Sequence, residues 1–422
     1  MRRFSSADEL ERLRNKARKI REKQNTPPTV HYFHQVDDPY SHLAVQKLDE
    51  LKRRYNLKFE AHLVSKPEDK FQGDANHFET WALRDAVSVA PDYATDLSPA
   101  SKAPTGAGVT RANQTLAAHL ESTEFAKVAI EVGTELWTRP GTGENNTGDT
   151  NSQAATVALG AGNALRAALG HYQGAMFYFE GEWFWGIDRI RSLEHRLADE
   201  GFDSASGALC VPEPTPDPFA SEPATSVVLE YFPSLRSPYT AVGQQRVVNM
   251  VAESGVTLKV RPVMPMLMRG IPAPQAKQRY IITDAAREGR THGSPLGRVV
   301  DPFGEPVKRA FELFAGAQAL GKGMEFVTTY LRAAWVDGHD ITKAKVLQQV
   351  VEDSGLDFQQ TLDATDELDW QALLQDNLDA LTAANLWGVP SFRVSGGVSK
   401  PPYVCWGQDR IWRVASEIAR RS

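Results

Sequence analysis

The stretch FPSLRSPYTAVG, residues 232–243, follows the apolar run Val227-Val228-Leu229-Glu230-Tyr231. A short run rich in β-branched and aromatic residues reads as a strand. Ser-Pro ahead of a helical pattern reads as a helix start, because serine satisfies exposed backbone N–H groups and proline suits the first helical position. A second apolar alternation, VTLKVRPVM (256–264), follows the helix. The first half carries the same order. VHYFHQVDDPYSHLAVQKLDELKRRYNLKFEAHLV (30–64) lies without a gap on the residues from Leu229 to Val263 when Pro39 is set on Pro238. The two share Tyr-Phe in the strand, Pro-Tyr at the turn and a glutamine in the helix, an internal repeat.

The ends of the halves agree as well. FYFEGEWFWGIDRIRSLEHRL (177–197) and FRVSGGVSKPPYVCWGQDRIWRVASEIA (392–419) each read as a hairpin, then Trp-Gly-x-Asp-Arg-Ile opening a helix. An aspartate there complements the positive end of the helix dipole. Between these pieces lies helical sequence, such as FVTTYLRAAW (326–335) and ITKAKVLQQVVEDSGL (341–356), with apolar residues at three- and four-residue spacing. Each half is thus βαβ, helical insert, ββα. The Pro/Ser-rich stretch 204–225 reads as a linker. The expected division is a charged helix over 1–27, a first domain over 28–203, the linker, and a second domain over 226–422.

Composition narrows the function classes. Lysine and arginine number 47 against 53 acidic residues, which argues against an unpatterned polyanion binder such as a nucleic-acid protein. No apolar run approaches the roughly 20 residues that cross a bilayer. The charged start, MRRFSSADELERLRNKARKIREKQ, lacks the apolar core of a secretory signal, so a cytoplasmic location is expected. Cys210 and Cys405 are far apart and neither belongs to a C-x-x-C, which removes the dithiol redox motif and a cysteine-based zinc site. Around the first turn stand His34, Asp37, Asp38 and His42, but their spacing matches no ligand pattern, and no metal is expected. GTGENNTG (141–148) lacks the Gly-Lys-Ser/Thr of a phosphate loop, and Ser237 lacks a G-x-S-x-G elbow.

Five motifs of the second half, SPYT (237–240), YIITDAAREGR (280–290), AAWVDGHDIT (333–342), GVPSF (388–392) and WGQDRI (406–411), occur in the same order in 2-hydroxychromene-2-carboxylate isomerases. The half resembles that family and, with it, kappa-class glutathione transferases and DsbA-like thioredoxin domains. The resemblance covers nearly the whole second half; in the first it rests on the two ends and on WALRDA (81–86). It implies an α/β fold of two tandem thioredoxin-like (DsbA-like) domains, each with an inserted helical subdomain. It further implies glutathione as cofactor or consumed substrate, and a small electrophile, an aromatic or conjugated carboxylic acid, as the molecule acted on. Ser237 corresponds to the residue that donates to the glutathione sulfur, Pro390 to a cis-proline, and Val389 to the residue whose backbone pairs with the tripeptide. Gln408 and Asp409 fall where the γ-glutamyl end is held. Lys277 and Tyr280 are candidates for the electrophile pocket.

Local sequence alone makes Ser237 a helix cap, Pro390 a strand-start proline and Asp409 a helix-start residue paired with Arg410. The first half departs from the pattern: Asp38 stands for Ser237 and Ala175 for Pro390. A carboxylate repels a thiolate, so this half is expected to have lost glutathione chemistry. A non-catalytic binding or scaffold protein and a weak thiol–disulfide oxidoreductase are the alternatives, and the chain is expected to be a monomer or homodimer.

Overall fold

The computed structural model describes residues 6–97, 102–139, 149–205, 207–397 and 401–422. Two compact units divide the chain. One comprises Glu11–Pro214 with Pro274–Tyr280, and the other Thr215–Ala273 with Ile281–Ser422 and, of the described N-terminal residues, 6–10. The chain passes from one unit to the other between Pro214 and Thr215, and Pro274–Tyr280 groups with the unit of the first half.

The first unit is built on strands β1 (Thr29–His34), β2 (Lys58–Leu63), β3 (Met176–Phe179) and β4 (Glu182–Trp185), in the order β2-β1-β3-β4. Strand β1 runs parallel to β2 and antiparallel to β3, and β3 and β4 form a hairpin. Helix α1 (Ala7–Gln24) buries no side chain, yet it is not simply solvated: Arg14 meets Glu182 at 2.8 Å, Arg21 meets Glu180 at 2.5 Å, and Arg18 pairs with Glu200. Helix α2 (Pro39–Val45) follows β1, and α3 (Ile190–Asp199) follows β4. The insert between β2 and β3 contains helices Ala75–Val89, Gly106–Ala117, Phe125–Thr138 and Asp149–Ala168. Of the polar stretch 139–153, residues 140–148 lie outside the described residues and Asp149 opens a helix.

In the second unit β5 (Val227–Phe232), β6 (Thr257–Val260), β7 (Ser391–Gly396) and β8 (Tyr403–Trp406) lie in the order β6-β5-β7-β8, with the same parallel and antiparallel pairings. Central β5 is apolar except for Glu230, which is buried and compensated by Arg261 at 2.8 Å and Arg393 at 3.0 Å. Helices α4 (Pro238–Ser254) and α5 (Ile411–Arg421) pack on the sheet, contributing Val247, Met250, Ile411, Val414 and Ile418 to its core. A separate core fills the insert around Phe311, Phe314, Phe326, Tyr330 and Trp335.

The register of the two sheets matches residue by residue. Tyr32 pairs with Phe177 across β1 and β3, and Tyr231 with Phe392 across β5 and β7. Both are stacked ring pairs, with centroids 4.7 and 5.4 Å apart. Among the described residues the linker stretch forms no helix or named strand, but side chains fasten it. Within the first unit, the buried Glu194 carboxylate accepts from the Cys210 and Val211 N–H groups at 2.7 and 2.9 Å. Among the described residues, no helix is long and apolar enough to cross a membrane.

Candidate functional site

Strand β5 ends at Phe232, and the turn Pro233–Ser237 leaves from there into α4. Ser237 is the N-cap: its Oγ accepts the Thr240 N–H at 3.2 Å, and Pro238 takes the first helical position. Because that oxygen accepts, the hydroxyl proton is left to donate. The turn is held from behind by the insert. Leu235 is fully buried in the insert core, and its carbonyl accepts from Trp335 Nε1 at 3.1 Å. Trp335 sits in the π-helical turn Arg332–Asp337, which is why AAWVDG departs from regular helix. Arg236, beside Ser237, is fixed bidentately by Asp301 at 2.6 and 2.7 Å.

Register brings the second motif to the same end of the sheet. Ser391 pairs with Phe232, so Val389 and Pro390 lie just beyond the end of β5, and the bond between them is cis. Gly388 packs against the Trp406 indole so closely that a Cβ there would meet the ring at 2.3 Å. Ser391 Oγ donates to the Gly388 carbonyl at 2.9 Å and closes the loop. GVPSF thus reads as glycine for a close approach, proline for the turn, serine for a latch and phenylalanine for the core. The third motif joins through Gly407, whose N–H donates to the Pro390 carbonyl at 2.9 Å.

The predicted site residues do not all share one environment. Ser237 is 7% exposed, Val389 half-buried and Pro390 buried at this sheet end. Gln408 is 1% exposed and committed internally. Its amide nitrogen donates to Glu288 Oε2 at 3.0 Å and to Asp409, and its oxygen accepts from Arg246. Asp409, half-buried, stands at the helix start. Lys277 and Tyr280 fall in the other compact unit. Lys277 Nζ donates to the Phe71 carbonyl at 2.9 Å, with burial lowering its pKa to about 8, and Tyr280 belongs to the core of Phe33, Val64 and Met176. Arg246 and Glu288 were not singled out from sequence, since nothing marks two charged helix residues as partners of a glutamine more than a hundred positions away.

The corresponding turn of the first unit is differently equipped. Asp38 caps α2, accepting from the Tyr40 and Ser41 N–H groups at 3.3 and 3.1 Å and from Ser41 Oγ at 2.8 Å. Burial pushes its carboxyl up to about 7. Ala175 occupies the register position of Pro390, with its carbonyl accepting from Gly186 N–H at 2.8 Å. Its φ is +53°, and its N–H donates to Ser41 Oγ at 2.8 Å, a bond no proline can make. Of the four residues considered for a metal, His34 bonds Tyr32 Oη through Nδ1, and burial lowers His34 to about 3 and His42 to about 4. They form no ligand cluster among the described residues.

Neither cysteine is joined in a disulfide. Cys405 is buried on β8, and Cys210 is half-buried with its pKa pushed up to about 11 by desolvation and Glu194. Neither stands at a helix start.

No curated protein matches the chain. Solved structures that resemble it include a 2-hydroxychromene-2-carboxylate isomerase, at 18% identity and a TM-score of 0.38, covering 46% of this chain and 95% of that one. Another is the cytosolic disulfide reductase DsbM from Pseudomonas aeruginosa, at 19% identity and a TM-score of 0.37, covering 46% and 98%. The family model of the DSBA-like thioredoxin domain matches residues 228–419, which span β5 to the body of α5. Residues 228–419 are a DsbA-like thioredoxin domain.

Proposed function

We propose that the C-terminal half is a glutathione-dependent isomerase or transferase acting on a conjugated or aromatic carboxylic acid, with Ser237 as the residue that holds the sulfur. The observation that carries this reading is the Ser237 hydroxyl at the first turn of α4, at the same sheet end as the Val389–Pro390 backbone. Bound there, glutathione supplies a thiol able to add reversibly to an electron-poor double bond. Ser237 donates its proton toward the sulfur, and the positive end of α4 favours the thiolate over the thiol. In this scheme the backbone of the half-buried Val389 pairs with the extended peptide, and the half-buried Asp409 meets its α-amino end. Gln408 acts indirectly in this scheme, holding Asp409 and Arg246 in position. The fit supports a thiol ligand better than a dithiol mechanism, because a serine, not a cysteine, opens α4.

The first half is, on this reading, a second copy of the fold that has lost the chemistry. Matching strand order, stacked Tyr–Phe pairs and register support the duplication; Asp38 and Ala175 are the losses. A reducing cytoplasm accords with two cysteines that are not joined in a disulfide. Activity is tested by following cis–trans isomerisation of a panel of conjugated aromatic acids with and without reduced glutathione. The proposal expects turnover only with the thiol, and equal rates without it would overturn it.

A further inference from the structure

We propose that His31, Glu60 and His62 form a binding site for a divalent transition-metal ion, zinc by its donor set, on the sheet of the first unit. The site is separate from the Ser237 region and does not depend on the reading given for it. Strands β1 and β2 are parallel, with His31 opposite Glu60 and Phe33 opposite His62. Side chains two apart on a strand share a face, so this register puts Glu60 and His62 on the same face as His31.

The donor atoms are already gathered. His31 Nδ1 lies 3.0 Å from His62 Nε2 and 3.4 Å from Glu60 Oε2, and His62 Nε2 lies 4.0 Å from Glu60 Oε2. A tetrahedral zinc ion with ligand bonds of about 2.0–2.2 Å spaces its donors roughly 3.3–3.6 Å apart. The three contacts bracket that spacing, so side-chain shifts of a few tenths of an ångström would complete one triangular face of the tetrahedron. Among the described residues this is the only trio of histidine, cysteine or carboxylate groups so arranged.

Neighbouring side chains favour the arrangement. The Phe33 ring stacks on His62 at 5.1 Å between centroids, and Tyr178 lies 6.3 Å from the His31 ring. Lys58 pairs with Glu60 Oε1, which leaves Oε2 toward the two imidazoles. With side-chain exposures of 24%, 34% and 20%, the three residues are partly open to solvent, so a fourth ligand position can be taken by water. Two imidazoles and one carboxylate suit zinc and its first-row neighbours over calcium or magnesium.

The test uses the full chain without an affinity tag, treated with chelator and titrated with cobalt(II), then zinc(II). The proposal expects about one equivalent of cobalt with the intense visible absorption of a four-coordinate ion, displaced by zinc. His62→Gln and Glu60→Gln should each weaken binding by about tenfold or more, the least that loss even of an outer-shell partner costs. Zinc should also raise the melting temperature of the parent and leave that of Glu60→Gln unchanged, which separates lost ligation from lost folding. His77→Gln, on an exposed helix turn, should bind as the parent does. If the chelated parent binds no zinc, or if His31→Gln/His62→Gln binds it with parental affinity, the two histidines share only a hydrogen bond and the proposal is wrong.

Discussion

Tyr239 Oη donates to Asp284 Oδ2 at 2.8 Å, tying the first turn of α4 to the helix Gln275–Thr291 of its insert. The first unit repeats this bond between Tyr40 and Asp85 at 2.7 Å, and each pair is separated by 45 residues. The Pro-Tyr of each turn is therefore an anchor: proline starts the helix and tyrosine fastens it to a buried carboxylate. Asp284 is 1% exposed and Asp85 5%. Removing the hydroxyl in Tyr239→Phe should cost about 1.5–3 kcal/mol, the range for a hydrogen bond to a charged group, and Tyr40→Phe a similar amount. Urea unfolding of the two variants checks this; a loss in only one of them would show that the anchors are not equivalent.

Asp38 should make stability fall as pH rises. Its folded-state pKa is raised to about 7 by burial, against roughly 3.9 when unfolded. The folded chain thus keeps a proton that the unfolded chain releases, so the contribution is full below about pH 4, declines through the interval and is gone above about pH 7. Asp38→Asn keeps a capping oxygen and removes the titration. Urea midpoints for parent and variant should diverge in the variant's favour on going from about pH 5 to about pH 8, whereas parallel curves would place the ionisation elsewhere.

Restoring proline should not restore a site in the first half. Ala175→Pro would force φ to about −65° and delete the N–H that Ser41 Oγ accepts, so a loss of about 3 kcal/mol or more is expected. Ala175→Gly, free of the positive-φ penalty, should be near neutral. Thermal melts of both variants give the comparison, and a stable proline variant would contradict the assigned backbone.

Gln408→Ala should act on stability first. It leaves Glu288 and Arg246 with one partner fewer in a buried setting, at an expected cost of about 1–3 kcal/mol. Chemical denaturation measures it. A variant of parental stability that had lost only ligand binding would instead return Gln408 to direct contact with ligand.

Much of the architecture could be read from local pattern, because the repeat and the punctuation agree. The apolar runs, the capped turns and Trp-Gly-x-Asp-Arg-Ile all lie where strands and helices begin. Ala175 could be set against Pro390 because each directly precedes the strand that opens the closing hairpin. What was illegible depends on register and on side-chain burial. His31 and the Glu60-x-His62 pair meet only when two strands align one particular way. Gln408, a polar residue beside a helix start, has the same sequence whether it faces a ligand or an internal carboxylate. Lys277 and Tyr280 lie inside the second half in sequence, yet group with the other unit, and no local signal carries that exchange.

The central claim concerns Ser237, and calorimetric titration of the full chain with reduced glutathione tests it most directly. The parent should bind one tripeptide per chain and show the ultraviolet absorbance of a thiolate at neutral pH. Ser237→Ala, at a capping cost of about 1 kcal/mol, should stay folded, keep much of the binding and lose most of the thiolate signal. A parent that binds no glutathione, or a Ser237→Ala variant with an undiminished thiolate, would contradict the account.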